Sequence, residues 1–370
     1  MTLRVALVGG PMYDHLYELF DGADGDVEIV VHEDHPTLNR RVAEMLEAGE
    51  RLDLIATHSK YAPSQAQWLQ PLDDLIDPAT VAALAPRAVD LCRVGDDQLC
   101  LPRLIDVRVL WVRADRVDEV PDTWGELLES GIAFGFPGRE SGLFGTFFEL
   151  VAGQGGRLFD DDRAPTMASA EAEQAVETLC RLAEQAPADL PDWHYDDVDA
   201  ALLAGRVDAA AAWPGAWGAI RRSEVGNRLM PYPYPAGPRH RVTYSGSHAW
   251  AIPTTSGDLG GAVGLLERLL GVDAQALDAT GGTICAHRGA LAAVEPDDDI
   301  DRRRLDITRS MIADAMITYP PLARFPEIED AGWAAINAAL RRVLSPRAAT
   351  FAIQTAAERV LGDAPGRREE

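Results

Sequence analysis

Apolar and polar positions along the first seventy residues alternate in a way that predicts strands and helices in turn. Leu3–Val8 reads as a buried strand, 11–20 has helical spacing, and the β-branched run Val27–Val31 predicts a second strand. Thr37 is read as the cap of an amphipathic helix to Ala48, with Leu38, Val42, Met45 and Leu46 on one face. A strand over Leu52–Ala56 and a helix over Ser64–Leu69 follow. Strands alternating with helices imply an open parallel sheet that meets its ligands at the carboxyl ends of the strands. The loops Gly9–Asp14 and Thr57–Tyr61 stand at those ends.

The pattern then changes. From Leu101 the chain is extended, with Ile105, Val107, Val109 and Trp111 alternating, and the next helix signal comes only at Pro121-Asp-Thr123. So long an extended segment predicts a crossing from one α/β lobe to another. The second lobe is expected to hold helix Thr123–Leu128, strand Ile132–Phe136, a Gly-rich turn over Gly138–Gly145 and helix Thr146–Gly153. Helix Val198–Leu203 and strand Val207–Trp213 continue it. Thr243–Ile252 predicts the return crossing, ahead of helix Gly261–Leu270, and a third passage is placed at Arg302–Arg309, before helices Ile328–Leu344 and Pro346–Leu361. Lobe 1 is thus expected at 1–106 plus 250–302 and lobe 2 at 107–249 plus 303–362, with 363–370 a disordered tail. About three crossings would make a hinge suited to closure around a ligand, at Asp106–Val109 and Tyr244–Ala249.

Composition narrows the function. At 370 residues, 47% of them hydrophobic, the chain is long enough for two folded lobes. A net charge of −25 argues against nucleic acid and anionic membranes as partners. No apolar run reaches the length of a membrane span. Met1-Thr-Leu-Arg4 runs directly into a strand, with no leader pattern and no lipobox cysteine near the start, so either a leader has been removed or the chain has none. Cys92, Cys100, Cys180 and Cys285 show no CxxC spacing, which disfavours a cysteine metal site. Cys92 and Cys100 flank the turn Val94-Gly-Asp-Asp97, where a disulfide or two free thiols would fit equally.

Candidate chemistry lies at strand ends. Lys60 is the only lysine among 34 Lys and Arg, in the sequence His58-Ser-Lys-Tyr61, and reads either as a compact ammonium donor to a ligand or as a surface lysine. Sugar rings pack their C–H faces on aromatic planes, and Tyr13, Tyr61, Trp213, Tyr244 and Trp250 stand at predicted strand ends, with Trp193 in a loop cluster. Asp14, Asp106, Arg108, Ser247 and His248 would supply polar partners, although for Asp106 and Arg108 a pairing with each other or with the backbone at the hinge is nearly as good a reading. Gly138–Gly145, which carries Phe144, resembles a phosphate loop only loosely and reads as a helix entry with exposed backbone N–H groups. No Gly-x-Ser-x-Gly, HExxH or Walker sequence occurs, so no catalytic set, cofactor or metal is expected.

One order of segments spans nearly the whole chain: Leu101-Pro, Asp106, Trp111-Val-Arg-x-Asp115, Pro121-x-Thr-Trp124-x-Glu126, Gly145-Thr-Phe-Phe148, Phe159-Asp-Asp-Asp162, Ala204-Gly-Arg-Val-Asp, Pro235-Ala-Gly-Pro238 and Tyr244-Ser-Gly-Ser-His-Ala-Trp250. This order resembles extracellular solute-binding protein family 1 of ABC importers, with its maltose- and sugar-binding members. The resemblance implies a two-lobed α/β clamshell of the type II periplasmic-binding-protein kind, and a monomer without catalysis or cofactor. Such a protein captures a small polar ligand, expected here to be a carbohydrate, in a cleft between lobes for presentation to permease subunits. Its place would be extracytoplasmic if a leader was removed. If the chain is natively leaderless, the alternative is a cytoplasmic sensor or enzyme on the same fold.

Overall fold

The computed structural model describes residues 1–10, 12–20 and 27–362. The expected tail 363–370 and part of the expected first helix lie outside them. Contacts divide the described residues into two compact units: 1–106 with 246–295 and 318–323, and 107–245 with 296–317 and 324–362.

The first unit is built on a five-stranded sheet in the order Val27–Glu33, Leu3–Val8, Leu54–His58, Ser247–Ala251, Leu101–Ile105. The first three strands are parallel; Ser247–Ala251 is antiparallel to both of its neighbours. Val5, Leu7, Leu54, Ile55, Leu101 and Trp250 are wholly buried, as near-continuous apolar strands covered on both faces require. The helix after the second strand is His35–Glu47, and Asp34 rather than Thr37 caps it, its carboxylate accepting from the Thr37 N–H at 2.9 Å. An aspartate one residue before the helix reaches that amide, which moves Thr37 into the first turn.

The second unit holds a four-stranded sheet, Leu229–Tyr232, Val109–Arg113, Ala209–Ala212, Phe134–Gly135, and a two-stranded one of Thr243–Tyr244 with Met316–Ile317. Alanine is a poor strand former, yet the four-alanine strand lies centrally, where Ala210 pairs with Trp111. The small side chain leaves room for the Trp111 indole, which stacks on Trp217 at 5.7 Å. The turn expected over Gly138–Gly145 is mostly helix: Glu140–Gly153 is continuous, with Leu143, Phe144, Phe147, Leu150 and Val151 buried. Burial of this apolar run outweighs the low helix propensity of Gly142 and Gly145.

The long extended segments are each two strands in different sheets, Leu101–Ile105 then Val109–Arg113, and Thr243–Tyr244 then Ser247–Ala251. The passage expected at 302–309 falls instead inside helix Asp299–Asp314 of the second unit. Asp298 caps that helix, and Arg304, Leu305, Thr308 and Met311 form a buried stripe at helical spacing. The chain re-enters the second unit at Pro296, and 318–323 return to the first. No helix among the described residues is long and apolar enough to cross a membrane. Cys92 and Cys100, like the other two cysteines, are free thiols.

Candidate functional site

In the first unit, sheet direction gathers side chains at one edge. Because Ser247–Ala251 runs against its neighbours, its first residues lie beside the last residues of Leu54–His58 and Leu101–Ile105, and His248 stands directly opposite His58. Asp106 follows the fifth strand. Tyr13 comes from the loop after the first strand, and His35 opens the helix after the second. All of these are carboxyl ends of strands or the matching end of the antiparallel one, where open α/β sheets meet ligands.

The gathered groups contact one another. His248 Nε2 lies 3.2 Å from the Tyr13 hydroxyl and 3.4 Å from the Asp106 carboxylate, while its Nδ1 is 3.2 Å from His35 Nε2. His58 Nε2 is 3.8 Å from Asp106, and His58 Nδ1 accepts from the Lys60 backbone N–H at 3.2 Å. The Lys60 ammonium sits 4.9 Å from the centre of the Tyr61 ring, which meets the His58 ring in a T-shaped arrangement. His58 and His248 are 7% and 9% exposed. Burial, then the neighbouring His58 and Lys60, push His35 down to about 3; burial and Lys60 do the same to His58. Burial holds His248 well below its ordinary value although Asp106 pulls the other way, and burial raises Asp106 against the opposing effect of His248. Near neutral pH the three imidazoles are therefore uncharged, each offering one donor and one acceptor.

Buried charge supports this edge from below. Arg103, 2% exposed, donates to both oxygens of Asp278 at 2.8 Å, to the Tyr17 hydroxyl at 3.2 Å and to the Tyr13 carbonyl at 3.1 Å. The last bond fixes the backbone of the loop that delivers Tyr13.

The second unit brings a different set together. Arg108 is fully buried; its guanidinium pairs with Glu149, donates to Thr146 Oγ1 at 3.0 Å and lies 5.1 Å from the Trp213 ring centre. Glu149 also accepts from the Tyr234 hydroxyl at 2.8 Å and the Tyr244 N–H at 2.7 Å. Trp213 and Tyr244 meet edge to face at 6.2 Å, so the ion pair orients an aromatic wall. Trp213 is only half-buried.

Several expected site residues are placed otherwise. Arg108 is committed to Glu149, and Asp106 to the histidines, so the suggested pairing of the two with each other is replaced by separate partners. Phe144 is a core ring between Phe147 and Phe325, with no exposed surface. Trp193 is buried, donates its indole N–H to Asp189 at 3.1 Å and carries Arg206 over its ring. Ser247 donates to the Leu104 carbonyl at 2.7 Å. Asp14 is exposed and accepts from the Gly10 N–H and His32. Trp250 packs in the sheet core, 5.4 Å from the Arg103 guanidinium. Two members were missed, His35 and Glu149. His35 follows a strand end as Tyr13 and His58 do, a signal that the third strand-end loop carried. Glu149 lies inside an apolar helical run, and no local pattern marks it.

A family model of bacterial extracellular solute-binding proteins matches residues 13–276. The chain belongs to this family. Among solved structures, this solute-binding protein resembles the maltose-bound MalE3 of T. maritima (TM-score 0.86, 22% identity, 97% of this chain and 100% of that one). It also resembles the GacH receptor of Streptomyces glaucescens, described unliganded and with acarbose (0.85, 15%, 98% and 100%). A third likeness is to an ABC transporter solute-binding protein from Agrobacterium radiobacter K84 in complex with ribitol (0.85, 18%, 97% and 98%). At these identities the likeness is one of fold, and it is the two-lobed α/β fold expected from the sequence.

Proposed function

We propose that this solute-binding protein captures a small carbohydrate or polyol and presents it, as a monomer without catalytic activity, to the permease of an ABC import system outside the cytoplasm. The observation that carries the reading is the convergence of Tyr13, His35, His58, Lys60, Tyr61, Asp106 and His248 at one sheet edge. Neutral imidazoles and two phenols, with one carboxylate set against one ammonium, suit hydroxyl groups, which both donate and accept, better than they suit a strongly charged solute. Trp213 and Tyr244 of the second unit supply the kind of aromatic plane on which a pyranose C–H face packs. The maltose, acarbose and ribitol of the similar structures support the same ligand class.

The test is a thermal-shift screen over sugars, polyols and amino acids, followed by calorimetry on each hit. Saturable stabilisation by a sugar or polyol, weakened by His248→Ala, is the expected result. Stabilisation by amino acids alone would overturn the ligand class.

A further inference from the structure

We propose that His58, Asp106 and His248 also form a binding site for a divalent transition-metal ion of the zinc class. The three residues each offer a ligand atom, and these atoms lie within 4.8 Å of one another. Two of the edges are known: His248 Nε2 to Asp106 at 3.4 Å and His58 Nε2 to Asp106 at 3.8 Å. A tetrahedral ion that holds nitrogen and oxygen at about 2.0–2.2 Å separates its ligand atoms by about 3.3–3.6 Å, so the first edge already fits, the second needs a small contraction, and the edge between the two histidines, at most 4.8 Å, must come to the same spacing.

The donor set is selective. Two imidazoles with a single carboxylate suit zinc, copper or nickel, whereas calcium and magnesium require more oxygen ligands. Three protein ligands leave a fourth position open, and the Tyr13 hydroxyl, 3.2 Å from His248 Nε2, stands beside the set.

The supports are rigid where a metal site needs them. His58 and His248 face each other across a paired register, and a side chain at Gly246 would come within 1.9 Å of the His58 ring, so that backbone lies flat against the imidazole. His35 Nε2, 3.2 Å from His248 Nδ1, orients the His248 ring from behind, as the outer partners of metal-bound histidines do. Coordination through His58 Nε2 would place the proton on Nδ1 and open its contact with the Lys60 N–H. Asp106 and His248 are therefore the ligands on which affinity should depend most.

The site shares residues with the carbohydrate reading but not its ligand, and the experiment separates the two. Protein stripped with chelator is titrated with zinc by calorimetry and with cobalt by visible absorption, with no sugar present. One equivalent should bind, cobalt should show the ligand-field bands of a low-coordinate ion, and Asp106→Asn and His248→Ala should each weaken binding at least about tenfold. The exposed His240→Ala variant should bind as the parent does. Asp106→Asn keeps the shape of the site and serves if His248→Ala does not fold. Absence of saturable binding, binding undiminished in Asp106→Asn, or loss in His240→Ala would overturn the proposal. Sugar titrated in chelator reports on the carbohydrate reading alone: sugar binding without zinc binding sinks only the metal, and the converse sinks only the sugar.

Discussion

Asp278→Ala is the most informative change in the first unit. It removes both oxygens to which Arg103 donates at 2.8 Å and leaves a guanidinium that is 2% exposed with the Tyr17 hydroxyl and the Tyr13 carbonyl as its remaining hydrogen-bond acceptors among the described residues. Breaking one side of a buried ion pair costs about 3–5 kcal/mol, because the remaining charge is neither paired nor hydrated. At about 2–4 °C per kcal/mol for a unit of this size, the melting point should fall by roughly 6–20 °C. The double variant Arg103→Met with Asp278→Leu buries no charge at all. It should recover most of the loss, falling short of the parent by about 1–3 kcal/mol for the two acceptors left at Tyr13 and Tyr17 and for the His15 ring, whose Nε2 lies 3.1 Å from the Asp278 carboxylate in the parent. Thermal and urea denaturation, both followed by tryptophan fluorescence, measure the melting points and the free energies, since Trp250 lies 5.4 Å from the guanidinium. If the single variant is no less stable than the double, the ion pair is not coupled and the reasoning fails.

The other predictions concern ligand and pH. Trp213→Ala should weaken carbohydrate binding by about 1–3 kcal/mol in calorimetry while the circular dichroism spectrum is unchanged, because the ring is half-buried over Arg108 rather than in the core. Lys60→Arg and Lys60→Met should both lower affinity if the compact ammonium bonds the ligand; retention in both variants would return Lys60 to a surface role. Asp53 gives a pH test: burial alone would push its carboxyl up, but the Arg4 N–H, Arg51, Ser256 and the Gly257 N–H bond its oxygens and hold it below the ordinary value of 3.8. A carboxylate whose pKa is lower folded than unfolded stabilises the fold above the unfolded value, and that contribution disappears as pH falls through the folded value. Asp53→Asn should therefore flatten the loss of stability below about pH 4 in denaturation measured across pH.

Local pattern was sufficient for much of this protein, and the reason is periodicity. The strands read at 3–8 and 27–31, the turn at 94–97 and the helix signal at 121–123 each write their signal within a few residues, and the structure has a strand, a strand, a hairpin and a helix there. The order of motifs along 101–250 was enough for the family. Tertiary structure alone decided the rest. His58 and His248 lie 190 positions apart in the sequence, and only antiparallel register sets them opposite each other. Glu149 is a carboxylate in an apolar helix until the fold brings Arg108, Tyr234 and Tyr244 to it. Helix Glu140–Gly153 crosses a glycine-rich segment because burying its aromatic side chains outweighs local propensity, a term that depends on neighbours remote in sequence. Spacing along the chain marks which residues reach a strand end, whereas register and burial determine which of them meet.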